Sequence, residues 1–291
     1  MVIQNESSAL AALCAGGAVL SRAPLLFVAN ALEMVHDGAV TDADPSTSAV
    51  AGVRARARAE LVAEITRSAR DQLAEHGAAG LSLRAVARDL GMASSAIYRY
   101  FPSRDALLTA LIIESYDALG DACEQAHAAV DPADLLGRWR AVAHAARAWA
   151  RGNPHEYALI YGSPVPGYAA PDDTIDPATR IPVLLLRLLD DLVIAGGDMA
   201  GGADAGDAEE TPGEISAALA AQVAAVRDAV GGAADDALVL AGVGEWALLF
   251  GLLSFELFGQ FANTFDDADD LFAYQVDAAA KRLGLRADGE T

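Results

Sequence analysis

The chain has 291 residues, 20 basic against 41 acidic, for a formal net charge of −21. Hydrophobic residues make up 53%, which supplies one or two sizeable cores and excludes a wholly disordered chain. Taken whole, a charge of −21 also points away from nucleic acid, whose binders carry a basic footprint.

Alanine occurs 66 times and lysine once, at Lys281, the usage of a GC-rich genome. Two cysteines, Cys14 and Cys123, are too few for a disulfide framework or a zinc site and read as free thiols in a reducing compartment. The apolar run Ala9 to Leu20 lacks a basic leader, and Arg22 and Pro24 end it well short of a membrane span. Val183 to Ala195 is broken by Arg187, Asp190 and Asp191, and Leu238 to Phe261 carries Glu245 and Glu256. A cytoplasmic chain is expected.

In chain order, residues 1–50 show no sustained period and end in a polar stretch, Asp42 to Ser48, so they read as a disordered or weakly structured extension. From about Arg54 the pattern turns helical, with Leu61, Val62, Ile65, Ala69, Leu73 and Ala74 at three- and four-residue spacing. Gly77 and Gly80 end that helix. Ser82 is placed to cap a short second helix with apolar positions Leu83, Val86, Ala87 and Leu90, closed by Gly91. A third begins near Ser94 and passes through Ile97, Tyr98 and Phe101 to stop at Pro102. Ser103 caps a long fourth helix, with Asp105 in its first turn, where an anion suits the macrodipole.

Asp131-Pro132 and Asp176-Pro177 predict further starts, with Pro in the first helical position. Thr211 to Glu214 reads as a capping box. Loops are expected over 162–174 and 196–210, and final helices over roughly 235–262 and 266–284. No alternating β-branched run reaches strand length. The expected fold class is all-α: a three-helix helix-turn-helix domain over 51–110, a helical bundle over 111–285, and a tail over 286–291.

Residues 82–101 form helix, Gly-containing turn and second short helix, a helix-turn-helix pattern. The run Gly-Ala-Ala-Gly-Leu-Ser-Leu-Arg-Ala-Val-Ala-Arg-Asp-Leu-Gly-Met-Ala-Ser-Ser-Ala-Ile-Tyr-Arg-Tyr-Phe-Pro-Ser-Arg-Asp-Ala-Leu-Leu, residues 77–108, closely resembles the DNA-binding domain of the TetR family of bacterial transcriptional regulators. The resemblance implies a double-stranded DNA operator as partner. Small residues Ala93, Ser94, Ser95 and Ala96 open the third helix and let it press against base edges in a major groove. It implies phosphate contacts at Tyr98, Tyr100, Arg104 and Ser82, with Arg99 reaching a base or the backbone and Arg84 adding a basic contact. The residues alone leave Tyr98 and Tyr100 open between packing and phosphate. Arg54, Arg56 and Arg58 are open between a solvated helix start and a DNA-contacting arm. Leu83, Val86, Leu90, Met92, Ile97, Phe101, Leu107 and Leu108 are read as core.

The charge objection dissolves once the chain is divided. Residues 51–110 hold nine Arg against six acids, a balance of +3, which leaves −24 on the other 231 residues. Acidic bulk facing away from phosphate suits a DNA reader.

Trp139 to Trp149 and Gly152 to Tyr168 look like the subset of the family with a WHG-type C-terminal domain. Trp139, His144, Trp149, Tyr157, Tyr161, Trp246 and Phe250 are the candidate lining for a small apolar effector, with His144 facing inward. Leu248, Leu249, Leu252, Leu253, Leu257 and Phe261 exceed one inward stripe, and in the family such last helices pair two subunits into a homodimer. Cys123 and His127 lie four apart on one helix face but lack a third ligand, so no metal site and no cofactor are expected. There is no Gly-x-Ser-x-Gly elbow, phosphate loop or His-Glu-x-x-His motif, and Gly242-Val-Gly244 lies inside an apolar helix, so the chain does not read as an enzyme. The expected function is a ligand-responsive repressor. The alternative, a helical-bundle adaptor without DNA binding, is opposed by the intact recognition-helix landmarks.

Overall fold

The computed structural model describes residues 45–197, 215–230, 232–265 and 267–286. Among them are ten α-helices and no strand. The fold is all-α, as the sequence predicts.

The first four helices build the head: α1 (Pro45–His76), α2 (Leu83–Asp89), α3 (Ser94–Ile97) and α4 (Arg104–Ala128). Helix α1 starts at Pro45, inside the stretch expected to be weakly structured. Proline is tolerated in the first helical turn because its missing N–H needs no partner there. The α2–α3 turn closes as a Schellman motif. Gly91 sits at φ 65°, the Met92 N–H donates to the Ala87 carbonyl at 2.7 Å, and the Gly91 N–H to that of Arg88 at 3.0 Å. No atom crowds a Cβ at Gly91, so it is the left-handed backbone that calls for glycine. The head core is Ile65, Ala69, Leu73, Val86, Ile97, Leu107, Leu108 and their neighbours, with Leu90 and Met92 packed at its edge.

The body comprises the second half of α4 with α5 (Leu135–Gly152), α6 (Pro154–Tyr161), α7 (Ile175–Ile194), α8 (Ala217–Val230), α9 (Asp236–Leu257) and α10 (Asp269–Arg282). Helix α4 serves both units: Leu107 to Ile112 enter the head core, Leu119 and Cys123 the body core. Helix α5 runs along α4, α7 packs on both, and α9 packs on α7 and α8. Gly242 permits the close α9–α7 approach, since a Cβ there would stand 2.5 Å from Leu189 Cδ1. Close packing is therefore the use of the first glycine of Gly242-Val-Gly244.

Several expected boundaries move. Helix α5 starts three residues after Asp131-Pro132, because Asp134 is the cap: its carboxylate accepts the Gly137 N–H at 2.7 Å. Asp131 instead accepts the Ala133 N–H at 2.9 Å in the preceding turn. Asp176-Pro177 falls inside the first turn of α7, which begins at Ile175 after a short 3-10 turn. The capping box at Thr211 to Glu214 lies outside the described residues, as do Cys14 and most of the 1–50 extension and the 196–210 loop. Helix α8 begins after Ser216, whose Oγ accepts the Leu219 N–H at 3.2 Å. The last two helices are shorter than expected, ending at Leu257 and Arg282. By length and composition α9 alone, among the described residues, could cross a membrane. Its three acids are held within the protein, Asp236 by Arg227, Glu245 by Arg282 and Glu256 by Arg147.

Candidate nucleic-acid interface

The recognition element is short and held from beneath. Ile97 is fully buried and Phe101 nearly so, while Ala93, Ser94, Ser95, Tyr98 and Arg99 are exposed and Ala96 is half-buried. The outer side of that turn is therefore exposed while Ile97 anchors its inner side in the core. Small exposed side chains at its start leave room for a base edge to approach. Tyr98 lies open, so of the two tyrosines it is the one free to reach a phosphate. Arg84, Arg88 and Arg67 are exposed on the neighbouring helices.

Ser82 precedes α2 without using its hydroxyl as a cap. Its N–H is instead taken by Oε1 of buried Gln72 at 3.2 Å, while the Gln72 amide donates to Asp89 at 3.1 Å. Gln72 thus ties α1 to both ends of α2. Nothing in the helical periodicity marks it, apart from being a polar residue beside Leu73 on the inner face of α1.

Two arginines do something the sequence does not suggest. Arg104 is half-buried, and its guanidinium donates to the Leu81 carbonyl at 3.2 Å and the Ala78 carbonyl at 2.7 Å. A third bond reaches Asp105 at 3.3 Å. It clips the turn between α1 and α2 onto the start of α4, so its donors are largely occupied rather than offered to phosphate. Arg58 donates from both terminal nitrogens to the Arg99 carbonyl at 3.5 and 3.4 Å and lies 5.2 Å from the centre of the Tyr100 ring. Tyr100 is half-buried under that guanidinium, against the head core.

The expected ligand lining splits into two groups. Tyr157, Tyr161, Trp246 and Phe250 do come together. Ring centres stand 5.2 Å apart for Tyr157–Tyr161, 4.4 Å for Tyr161–Phe250 and 6.3 Å for Trp246–Phe250. Tyr116 of α4, which sequence reasoning did not single out as lining, joins them edge-on at 6.0 Å from Tyr161. Desolvation pushes the Tyr161 phenol well above its ordinary value, with Tyr116 and Tyr157 adding to it, and pushes Tyr157 up to about 12. The Tyr157 hydroxyl donates to the Phe250 carbonyl at 3.0 Å and lies 2.9 Å from Ser254 Oγ. The Trp246 Nε1–H is the one buried side-chain donor without a partner among the described residues.

Trp139, His144 and Trp149 lie elsewhere. The Trp139 indole donates to the Val276 carbonyl at 2.9 Å and is core. His144 is exposed, with its ring 5.4 Å from that of Phe272, so it does not face inward. The physical reason is helical phase: Val142, Ala143, Ala146, Arg147 and Ala150 are among the buried positions of α5, and His144 falls between them. Trp149 packs partly buried at the core's edge. Cys123 and His127 also diverge. Cys123 is buried, its thiol pushed up to about 12 by desolvation, and His127 Nε2 accepts from Arg138 Nε at 2.9 Å.

The head and the aromatic cluster share an element. Helix α6 presents Tyr157 and Tyr161 to the cluster, while Leu159 and Ile160 pack against the head core. The Tyr116 hydroxyl donates to the Ile160 carbonyl at 3.2 Å, and Thr109 Oγ1 lies 2.9 Å from the Tyr168 hydroxyl just beyond α6. Arg70 of α1 pairs with Glu114 of α4 and lies 3.9 Å from Glu156 of α6. Burial raises the Glu114 carboxyl above its ordinary value, and the Arg70 charge opposes that rise.

Residues 65–111 match the model of the tetR family of bacterial regulatory proteins, and residues 139–279 the tetracyclin repressor-like C-terminal domain. The HTH-type transcriptional regulator Rv1816 of Mycobacterium tuberculosis is 40% identical over 227 residues, covering 77% of this chain and 93% of that one. Regulator Mb1846 of Mycobacterium bovis matches with the same figures. Among solved structures, the regulatory protein SCO4313 superposes with a TM-score of 0.61 at 33% identity, covering 77% of this chain and 97% of its own. A Rhodococcus protein of unknown function shares the fold at 23% identity and a TM-score of 0.56, over 77% of this chain and 95% of its own. The two family models and the 40% identity to a regulator covered over 93% of its length make this chain a member of the TetR family of bacterial transcriptional regulators.

Proposed function

We propose that this regulator is a cytoplasmic, homodimeric repressor that a small apolar effector releases from its operator. Residues 51–110 form the DNA-binding unit and 111–285 the effector-binding and dimerisation unit. Ala93, Ser94, Ser95 and Ala96 read bases, while Ser82, Arg84, Tyr98 and Arg99 meet the backbone. The observation that carries the effector step is the placement of α6, with tyrosines on the aromatic cluster and Leu159 and Ile160 on the head core. An effector seated among Tyr161, Trp246 and Phe250 displaces α6, and α6 cannot move without disturbing Arg70 and Tyr116. The population then shifts to a state whose recognition elements no longer match the operator. The unpartnered Trp246 donor favours an effector carrying a hydrogen-bond acceptor, since an unpaired buried donor is costly.

Dimerisation is supported by apolar side chains left in water around α9 and α10: Leu248 is 39% exposed, Phe255 54% and Tyr274 70%. Two subunits would set the recognition elements about one duplex turn apart, ~34–36 Å. The test is a thermal-shift screen of aromatic and apolar compounds, followed by titration of each hit against the protein bound to its own upstream DNA. The expected hit raises the melting temperature, quenches Trp246 emission and dissociates the DNA. Hits that stabilise the wild type and Trp246→Phe/Tyr161→Phe equally would remove the cluster as the effector site. A monomer at micromolar concentration would remove the dimer.

A further inference from the structure

Helix α1 is longer than its core requires. Ile65, Ala69 and Leu73 anchor its second half, whereas every residue from Val53 to Glu60 is exposed. That free stretch carries Arg54, Arg56 and Arg58 against one acid, Glu60. The bonds from Arg58 to the Arg99 carbonyl, at 3.5 and 3.4 Å, hold it alongside the C-terminal end of the recognition element. Arg54 lies one turn earlier on the same face as Arg58, and Arg56 on another face, bonded to the Gly52 carbonyl at 3.4 Å. Neither Arg54 nor Arg56 has a carboxylate within ion-pair distance among the described residues. Like charges four apart weaken a helix that no core supports, and a polyanion alongside relieves exactly that repulsion.

We propose that the N-terminal turns of α1 are a second DNA-contacting element. Arg54 and Arg56 grip phosphates flanking the groove that the recognition element enters, and Arg58 is a positioning residue that locks the two elements together. This rests on the DNA-binding reading of the head and extends it to residues outside the helix-turn-helix. Two features on the molecule favour DNA as the occupant: the charge is complementary, and the stretch is continuous with the recognition turn through Arg58.

The experiment measures binding of the full chain to its own upstream duplex and to a random duplex of equal length, from 50 to 200 mM salt. For Arg54→Ala/Arg56→Ala, affinity for both duplexes should fall by the same factor. The slope of log K against log salt should shrink by about 1.8 per bound protomer, at about 0.9 per phosphate contact. Over that fourfold rise in salt, the advantage of the wild type should narrow about twelvefold per bound protomer. Arg54→Lys/Arg56→Lys should keep the slope of the wild type. Arg58→Ala should instead lose affinity for the upstream duplex more than for the random one, because it misplaces the base-reading turn. The stretch touches no core, so the melting temperature of the double variant should stay at the wild-type value. An unchanged slope, or a loss confined to the upstream duplex, would overturn the proposal. If the wild type binds neither duplex, the reading of the head itself fails, a result distinct from a variant that binds with the wild-type slope.

Discussion

The head and the body use most of their arginines in opposite ways. In the head, Arg54, Arg56, Arg58, Arg67, Arg84 and Arg99 are all exposed, and none has a carboxylate partner among the described residues. In the body, Arg138, Arg140, Arg147, Arg151, Arg180, Arg227 and Arg282 are each paired to an acid. Most body cations, Arg187, Lys281 and Arg286 apart, are spent on body anions, so the body's surplus acid faces solvent without competing for the free guanidinium groups of the head. Net charge merges two populations of side chains with different work. The free cations, not the sum of −21, bear on binding a polyanion.

The sharpest way to break that contrast is Arg147. Its buried guanidinium lies 2.8 Å from each oxygen of Glu256, 2.7 Å from Asp269 and 4.7 Å from the Phe272 ring centre. The bond from Arg147 also holds the Asp269 carboxyl below its ordinary value. Arg147→Met should destabilise the body by about 3 kcal/mol, at the low end for a broken buried pair because Arg151 remains 3.8 Å from Glu256. Urea unfolding would measure it, and adding Glu256→Gln should recover part of the loss by removing the stranded charge. A midpoint within error of the wild type would mean that these pairs are as dispensable as surface ones.

Arg104 tests the contrast from the other side, because it is a head arginine that behaves like a body one. Family resemblance makes it a phosphate contact, but its donors go to the carbonyls of Ala78 and Leu81. Arg104→Ala should cost the head about 2 kcal/mol, the range for hydrogen bonds from a charged group. Arg84→Ala should leave stability within about 0.5 kcal/mol and reduce the salt slope of DNA binding by about 0.9. Denaturation and binding titrations on the two variants would check both. The reverse pattern would return Arg104 to the phosphate role and remove Arg84 from the interface.

Much of the head was legible because its signals are local. Gly91 announces a left-handed turn, Ser103 caps α4 through the Ala106 N–H at 3.0 Å, and the apolar positions of α2 point inward as their spacing predicts. The aromatic residues of the body were named from composition, which cannot tell which of them meet. Tyr161 and Phe250 touch across 89 positions of chain, whereas Trp139 turns to Val276. His144 falls outside the phase of the buried α5 positions, so its place in an aromatic-rich helix does not turn it inward. The roles of Arg58, Gln72 and Arg104 depend on contacts 41, 10 and 23 to 26 residues away, which no helical period encodes.

The smallest expected effect concerns protons, and it too should separate the two units. Arg138 is buried and donates to His127 Nε2 at 2.9 Å, to the Pro132 carbonyl at 3.0 Å and to Asp191 at 2.7 Å. His127 must be neutral to accept that bond. Burial, and then the charge of Arg138, hold its pKa below the ordinary 6.5, with Asp191 opposing. Below pH 6.5 the unfolded chain therefore binds a proton that the folded chain refuses, and stability falls with pH until the folded imidazole also titrates. The body should accordingly lose melting temperature between pH 7 and pH 5, whereas His127→Gln, whose amide oxygen accepts from Arg138 at either pH, should lose less. Thermal melts of both proteins across that window check the difference. Parallel curves would show that the Arg138–His127 bond contributes nothing to the acid sensitivity of the body.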